Sequence, residues 1–129
     1  MGKIFDDILK KLLVANPEVK AAAIISAEGL PIASVLPKSV DETKISAMTA
    51  TLLSLSERAI IDMGKGNFHQ LDIKGSEGNL LVMQAGLSAV LTVSTTNDIK
   101  LGLILLDCKR ACEKIAKLFL NKDDDKEEE

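Results

Sequence analysis

Cys108 and Cys112 are the residues whose type and spacing come nearest to a chemical site. On a helix, two residues four positions apart lie on one face, which would supply half of a metal site. No second cysteine or histidine pair accompanies them, and a helix holds their Cα atoms near the upper limit for a disulfide. We therefore expect two small apolar residues on a buried stripe.

His69 is the only histidine of the chain. It would act as a base only with an ordered partner, and the sequence does not identify one. The residue lies on the apolar side of a predicted strand. We therefore expect it to be packed and not catalytic.

Motifs that bind phosphate or activate a nucleophile are missing from the sequence. The run Gly64-Lys65-Gly66 lacks the glycine that stands five residues before the second glycine of a phosphate-binding loop. There is no GxGxxG, HExxH or GxSxG pattern. We predict no catalytic residue, no metal ligand and no cofactor, and we expect that the protein is not an enzyme.

The net negative charge of the chain lies in its C-terminal residues. The formal net charge is −3, and residues 121–129 (NKDDDKEEE) hold six acids and two lysines. Residues 1–120 then carry 14 cations and 13 acids, and only two of the cations are arginines. A nearly neutral body without tryptophan or tyrosine is not expected to bind nucleic acid. We predict one domain over 1–120 and a disordered acidic tail over 121–129.

Membrane segments and targeting signals are not expected. No apolar run reaches the roughly 20 residues that span a bilayer, and the N-terminal residues do not have the pattern of a signal peptide. The expectation is a cytoplasmic protein with no integral membrane segment.

Apolar periodicity divides residues 1–120 into helices and strands. Helical spacing runs through residues 3–13, and Asn16-Pro17 ends this helix. Short apolar runs between turn residues predict five strands: 19–26, 30–36, 67–74, 79–85 and 89–95. From Leu101 onward a 4-3-4-3-4 spacing predicts a last helix over 98–120, with an N-cap at Thr96-Asn97.

The predicted central helix opens at a capping box from Ser39 to Glu42, with Asp41 also favouring its first turn, and stops at Gly64. One stripe is large and aliphatic, and we expect it to face the sheet: Ile45, Met48, Leu52, Leu55, Ala59 and Met63. A second stripe is mostly small: Ala47, Thr51, Ser54, Arg58 and Ile61. Small residues permit close approach of another helix, so this stripe predicts a helix–helix contact.

The strand predicted over Asn67–Lys74 alternates in polarity, which is typical of a half-exposed or edge strand. Its two sides are His69, Leu71 and Ile73, and Phe68, Gln70, Asp72 and Lys74. The order α-β-β-α-β-β-β-α then predicts an α+β domain, with a five-stranded antiparallel sheet and helices on both faces.

With these elements the chain resembles a roadblock domain, the fold of dynein roadblock light chains and of prokaryotic regulators of small Ras-like GTPases, related to longin- and profilin-like folds. The resemblance rests on the hairpin AAAIISAEGLPIAS (21–34), the helix 46–66, the strands LLVMQAG (80–86) and AVLTVSTT (89–96), and the run 97–119. The last helix resembles the prokaryotic members, because the dynein light chains end at the last strand.

The resemblance implies a non-catalytic dimer, formed with a second copy or a roadblock paralogue, that binds a small Ras-like GTPase as a scaffold or regulator. Such dimers pair through the central helix and the third strand. The expected interface residues are Ala47, Thr51, Ser54, Arg58, Ile61, Phe68, Gln70 and Asp72.

The sequence leaves two other functions open. One is a small-molecule sensor, whose polar groups inside apolar runs would be His69 and Thr92. The other is a subunit of a motor or adaptor complex, which the resemblance also implies. An arginine finger is not expected, because Arg58 and Arg110 both fall within predicted helices.

Overall fold

The computed structural model describes residues 2–97 and 100–128, with side chains as far as Asn121. Three helices and five strands follow the predicted order. Their bounds are Gly2–Ala15 (α1), Val19–Ser26 (β1), Pro31–Val35 (β2), Glu42–Asp62 (α2), Gln70–Gly75 (β3), Gly78–Ala85 (β4), Ala89–Thr95 (β5) and Leu101–Glu128 (α3). The predicted α+β class is confirmed.

The five strands form one antiparallel sheet in the order β2-β1-β5-β4-β3. The interior strands β1, β5 and β4 are continuous apolar runs because both of their faces are covered. β2 and β3 are the edges. β2 begins at Pro31, and its pairing with β1 shifts register between Ile24 and Ile25.

Helices cover both faces of the sheet, as predicted. α1 and α3 pack on one face, where the larger core includes Leu9, Ile24, Leu91 and Ile115. α2 packs on the other face over a smaller core of Leu53, Phe68, Val82 and Val90.

α1 and α3 are joined at both ends. Near the start of α1, the rings of Phe5 and Phe119 lie with centroids 5.5 Å apart. At its end, the Asn16 side-chain amide donates to the Leu12 carbonyl and to the Asp107 carboxylate, each at 3.0 Å. The two helices are therefore antiparallel neighbours.

Two predicted helix starts are wrong. The N-cap of α2 is Asp41, whose carboxylate accepts from the backbone N–H groups of Thr43 and Lys44. Helix α3 begins at Leu101, and the backbone N–H of Ile104 donates to the Lys100 carbonyl, so Asn97 lies too far upstream to be its N-cap; residues 98–99 of the predicted helix lie outside the described residues.

The predicted tail stays a prediction. The backbone of α3 is described as far as Glu128, but the side chains of residues 122–129 lie outside the described residues. Within the described chain, no helix is long and apolar enough to cross a membrane.

Candidate functional site

Small side chains bring α2 close to the sheet. Ser46 and Thr49 on its inner side are fully buried. The turn between β1 and β2 lies against the same helix, at Gly29, where the backbone has a φ of +93°. A Cβ at this position would lie only 3.2 Å from the Cβ of Ala50. At Gly29 the gap between the turn and α2 therefore has room for a small residue only.

Most of the large aliphatic stripe of α2 points away from the sheet, so the prediction that it packs there is wrong for these residues, although Leu52 packs against the core beneath α2. Met48, Leu55 and Met63 are 50%, 64% and 73% exposed, while Ile45 and Leu52 are partly buried. The buried positions follow one residue later along the helix, a rotation of about 100°. Ser46, Thr49 and Leu53 are the buried residues of α2, whereas Met48, Leu55 and Met63 lie on its outer side.

The predicted small-residue stripe is also exposed, and it adjoins these larger residues. Together they form what we call the α2 face: Ala47, Met48, Thr51, Ser54, Leu55, Arg58, Ile61 and Met63. Its one arginine, Arg58, lies 3.5 Å from the Asp62 carboxylate in an exposed pair. Such a pair contributes about 0–1 kcal/mol, so it holds Arg58 only weakly to the rest of the chain.

Strand β3 is an edge, as predicted. It pairs with β4 alone, so in the described chain its outer row of backbone N–H and C=O groups has no strand beside it. Leu71 packs against the core beneath α2, and Ile73, on the same side of the strand, is 39% exposed. The apolar side of β3 and the α2 face therefore lie on the same side of the sheet.

The other side of β3 carries Gln70 and Asp72. One carboxylate oxygen of Asp72 lies 3.2 Å from the Lys74 amine. The other, Oδ1, is buried and has no hydrogen-bond partner within the part of the chain that the structure describes. A buried carboxylate oxygen without a donor destabilises the chain.

Phe68 and His69 lie elsewhere than predicted, because the strand begins at Gln70. Phe68 is 8% exposed and packs with Leu53 in the chain's own core, so it does not belong to an exposed interface. His69 is exposed and not packed. Since Thr92 is buried, the two polar groups considered for a ligand do not converge.

Cys108 and Cys112 lie in the core between α3 and the sheet, as expected of apolar side chains. Burial, aided by the charge of Asp107, raises the pKa of Cys108 to about 12. Burial also raises the pKa of Cys112 to about 12, with smaller effects of Cys108 and Glu113. Both are neutral thiols near pH 7. Across the residues described, no three His, Cys, Asp or Glu side chains are grouped as metal ligands.

The five-stranded antiparallel sheet carries two helices on one face and one helix on the other. Profilin-like domains have this architecture. Profilin IA of Acanthamoeba castellanii superposes with a TM-score of 0.61 at 13% identity, over 88% of this chain and 98% of profilin. Residues 5–95 match the sequence profile of the Roadblock/LC7 domain. The chain belongs to the Roadblock/LC7 domain family, which confirms the resemblance drawn from its sequence.

Two further proteins show the extent of the similarity. An uncharacterised protein of Methanocaldococcus jannaschii is 38% identical over 101 residues, which are 78% of this chain and 88% of that protein. The structure of Myxococcus xanthus MglB superposes with a TM-score of 0.86 at 21% identity, over 93% of this chain and 90% of MglB. The second likeness extends over nearly the whole fold, including the last helix.

Proposed function

We propose that the protein is a dimeric scaffold that binds a small Ras-like GTPase and supplies no catalytic residue to it. The observation that carries the proposal is the exposed α2 face, which lies on the same side of the sheet as the apolar side of the edge strand β3. Exposed apolar residues grouped in this way are typical of interaction surfaces. Membership of the Roadblock/LC7 family and the likeness to MglB support the partner class.

Pairing with a second copy would use the α2 face and the free edge of β3 together. Across a two-fold axis, β3 would meet β3 in an antiparallel pair, and α2 would lie beside α2. The small residues Ala47, Thr51 and Ser54 would let the helices approach, while Met48 and Leu55 would become buried. Backbone or side-chain donors of the partner would lie near Asp72.

The positions of the two arginines support the proposal that the chain supplies no arginine finger. Arg58 pairs with Asp62 on α2, and Arg110 lies 4.0 Å from Asp107 on α3. Both belong to helices, whereas a finger must reach into the pocket of another protein. Any effect on GTP hydrolysis would then come from unequal binding of the two nucleotide states.

Sedimentation equilibrium tests the dimer. We expect a dimer for the unmodified chain at micromolar concentration and a monomer for Thr51→Arg, because a long charged side chain would be buried without a partner. Val14→Arg is the matched control, since Val14 is 83% exposed on α1, across the sheet from α2. A monomeric unmodified chain, or equal behaviour of the two variants, would contradict the proposal.

Binding to a panel of small Ras-like GTPases, each loaded with GDP or a non-hydrolysable GTP analogue, tests the partner class. We expect a complex with at least one member and a preference for one nucleotide state. The Thr51→Arg variant should bind more weakly wherever the dimer forms the binding surface. No binding to any member would leave the dimer intact and remove the GTPase from the proposal.

A further inference from the structure

We propose that the groove between α1 and α3 binds an amphipathic helix of a partner protein, with acidic residues along one flank of that helix. The groove lies on the opposite face of the sheet from α2. It is therefore separate from the proposed dimer and remains open when the α2 face is occupied.

The floor of the groove is apolar and long enough for a helix. It has a volume of about 530 Å³ and is lined by Ile4, Ile8, Leu12, Ala111 and Leu118. Ile4 is 48% exposed at the end of the groove that holds the start of α1. From Ile4 to Ala15 the groove follows α1 for about 16 Å, which is about three turns of a bound helix.

The rim of the groove is cationic. Arg110, Lys114 and Lys117 follow one another along α3, and Lys11 faces them from α1. Among the described residues that line the groove, the acids are Asp7 and Asp107.

Asp107 is already engaged within the chain. It accepts a hydrogen bond from Asn16 at 3.0 Å and lies 4.0 Å from Arg110. The rim therefore attracts acidic groups and disfavours basic ones.

The spacing of these cations fits a helix flank. Arg110, Lys114 and Lys117 stand at i, i+4 and i+7, which places them in one row about 10 Å long. Acidic residues with the same spacing on a helix lying along the groove would meet all three. Apolar residues on the adjacent face would fill the floor, as in other complexes of a helix in a groove.

Three other occupants fit less well. A fatty acid carries a single charge and would leave most of this row unpaired. The chain's own residues 121–129 contain no apolar side chain and would leave the floor empty. An anionic bilayer would meet a concave surface and the carboxylates of Asp7 and Asp107.

The test is a selection against the full chain. A displayed library of 16-residue helices carries a fixed apolar stripe, with Glu, Lys, Gln or Ala encoded equally at the flanking positions. We expect Glu to be enriched over Lys along one flank. Synthetic copies of the selected helices should bind at least tenfold more weakly to Lys114→Glu/Lys117→Glu, and more weakly at higher salt.

Two controls separate the groove from net charge and from folding. Lys38→Glu/Lys65→Glu changes the net charge equally at exposed positions outside the groove and should keep full affinity. Ile4→Glu should abolish binding through the floor. Each variant is checked by thermal melting, and Lys114→Gln/Lys117→Gln replaces any charge-reversed protein that does not fold.

Three results would overturn the proposal: no selected helix, no preference for acids on the flank, or binders unaffected by the changes at 114 and 117. Vesicles of phosphatidylcholine with phosphatidylglycerol are a fourth arm. Vesicle binding that these changes abolish would also overturn it, by assigning the groove to a membrane. None of these outcomes depends on whether the chain dimerises.

Discussion

Gly29 combines two constraints at the residue scale, a positive φ and close contact with α2. Replacing it with alanine should lower the free energy of unfolding by about 1–3 kcal/mol, because the new Cβ adds both backbone strain and a clash with Ala50. Gly64→Ala is the matched control. Gly64 also has a positive φ, +68°, but its Cβ would meet nothing within 4 Å. Equal losses in urea unfolding would show that the contact with α2 contributes nothing.

The buried thiols predict a pH dependence of stability. In the folded chain both have a pKa near 12, raised from an ordinary 9.0. Above about pH 9 the unfolded chain releases protons that the folded chain keeps, so stability is fully present below pH 9 and falls between pH 9 and 12. Each thiol contributes a slope of about 1.4 kcal/mol per pH unit in this window.

The measurement is urea unfolding from pH 8 to 10.5 for the native chain and for Cys108→Ala/Cys112→Ala. Lysines titrate equally in both proteins, so the difference between the two curves isolates the thiols. We expect the native curve to fall more steeply. Parallel curves would mean that both thiols titrate normally in the folded state.

The placement of single side chains was predictable only where the element boundary was right. The two cysteines are buried as expected, because helical periodicity in α3 identifies the buried stripe. Strand alternation does not apply to Phe68 and His69, because β3 begins at Gln70. Whether Asp72 has a donor depends on neighbours beyond the strand, which alternation does not indicate.

At the scale of elements, the start of α2 gives a direct comparison between sequence and structure. The sequence favours Ser39 as the capping residue, whereas in the structure Asp41 accepts from Thr43 at 2.9 Å and from Lys44 at 3.2 Å. Asp41→Ala should lower the free energy of unfolding by about 1 kcal/mol, as loss of an N-cap does. Ser39→Ala should change it by less than 0.5 kcal/mol, the usual range for surface positions. If urea unfolding showed a larger loss for Ser39→Ala than for Asp41→Ala, Ser39 would be the capping residue, as the sequence favours.

Most of the fold was predictable because its signals are local. The amphipathic α1, the hairpin at Gly29 and the apolar runs of β4 and β5 follow from periodicity and turn residues, and β5 has its predicted bounds. The orientation of α2 was not predictable in this way. Hydropathy identifies an apolar stripe, but it does not say whether that stripe covers the chain's own sheet or another surface. Here Ser46 and Thr49 cover the sheet, and the expected interface stripe is exposed beside Met48 and Leu55.

At the scale of the whole molecule, the proposal predicts that the chain binds the GTPase but that none of its own side chains takes part in GTP hydrolysis. Arg58→Ala and Arg110→Ala should each leave stimulated single-turnover GTP hydrolysis within about threefold of the native value, measured in complexes shown to form. A true arginine finger would contribute roughly 10³–10⁵ in rate. A thousandfold loss with binding intact would therefore show that this chain supplies a catalytic residue.

The two edges of the sheet differ in how readily they can pair with a strand of another chain. The edge at β3 is open, whereas β2 starts at a proline that offers no N–H donor and has a register shift against β1. If two copies join through β3, both outer strands of the ten-stranded sheet are copies of β2. Each is poorly suited to accept a further strand, so growth by strand addition stops at two chains and does not lead to fibres. The asymmetry of the edges thus limits the size of the assembly before any partner binds.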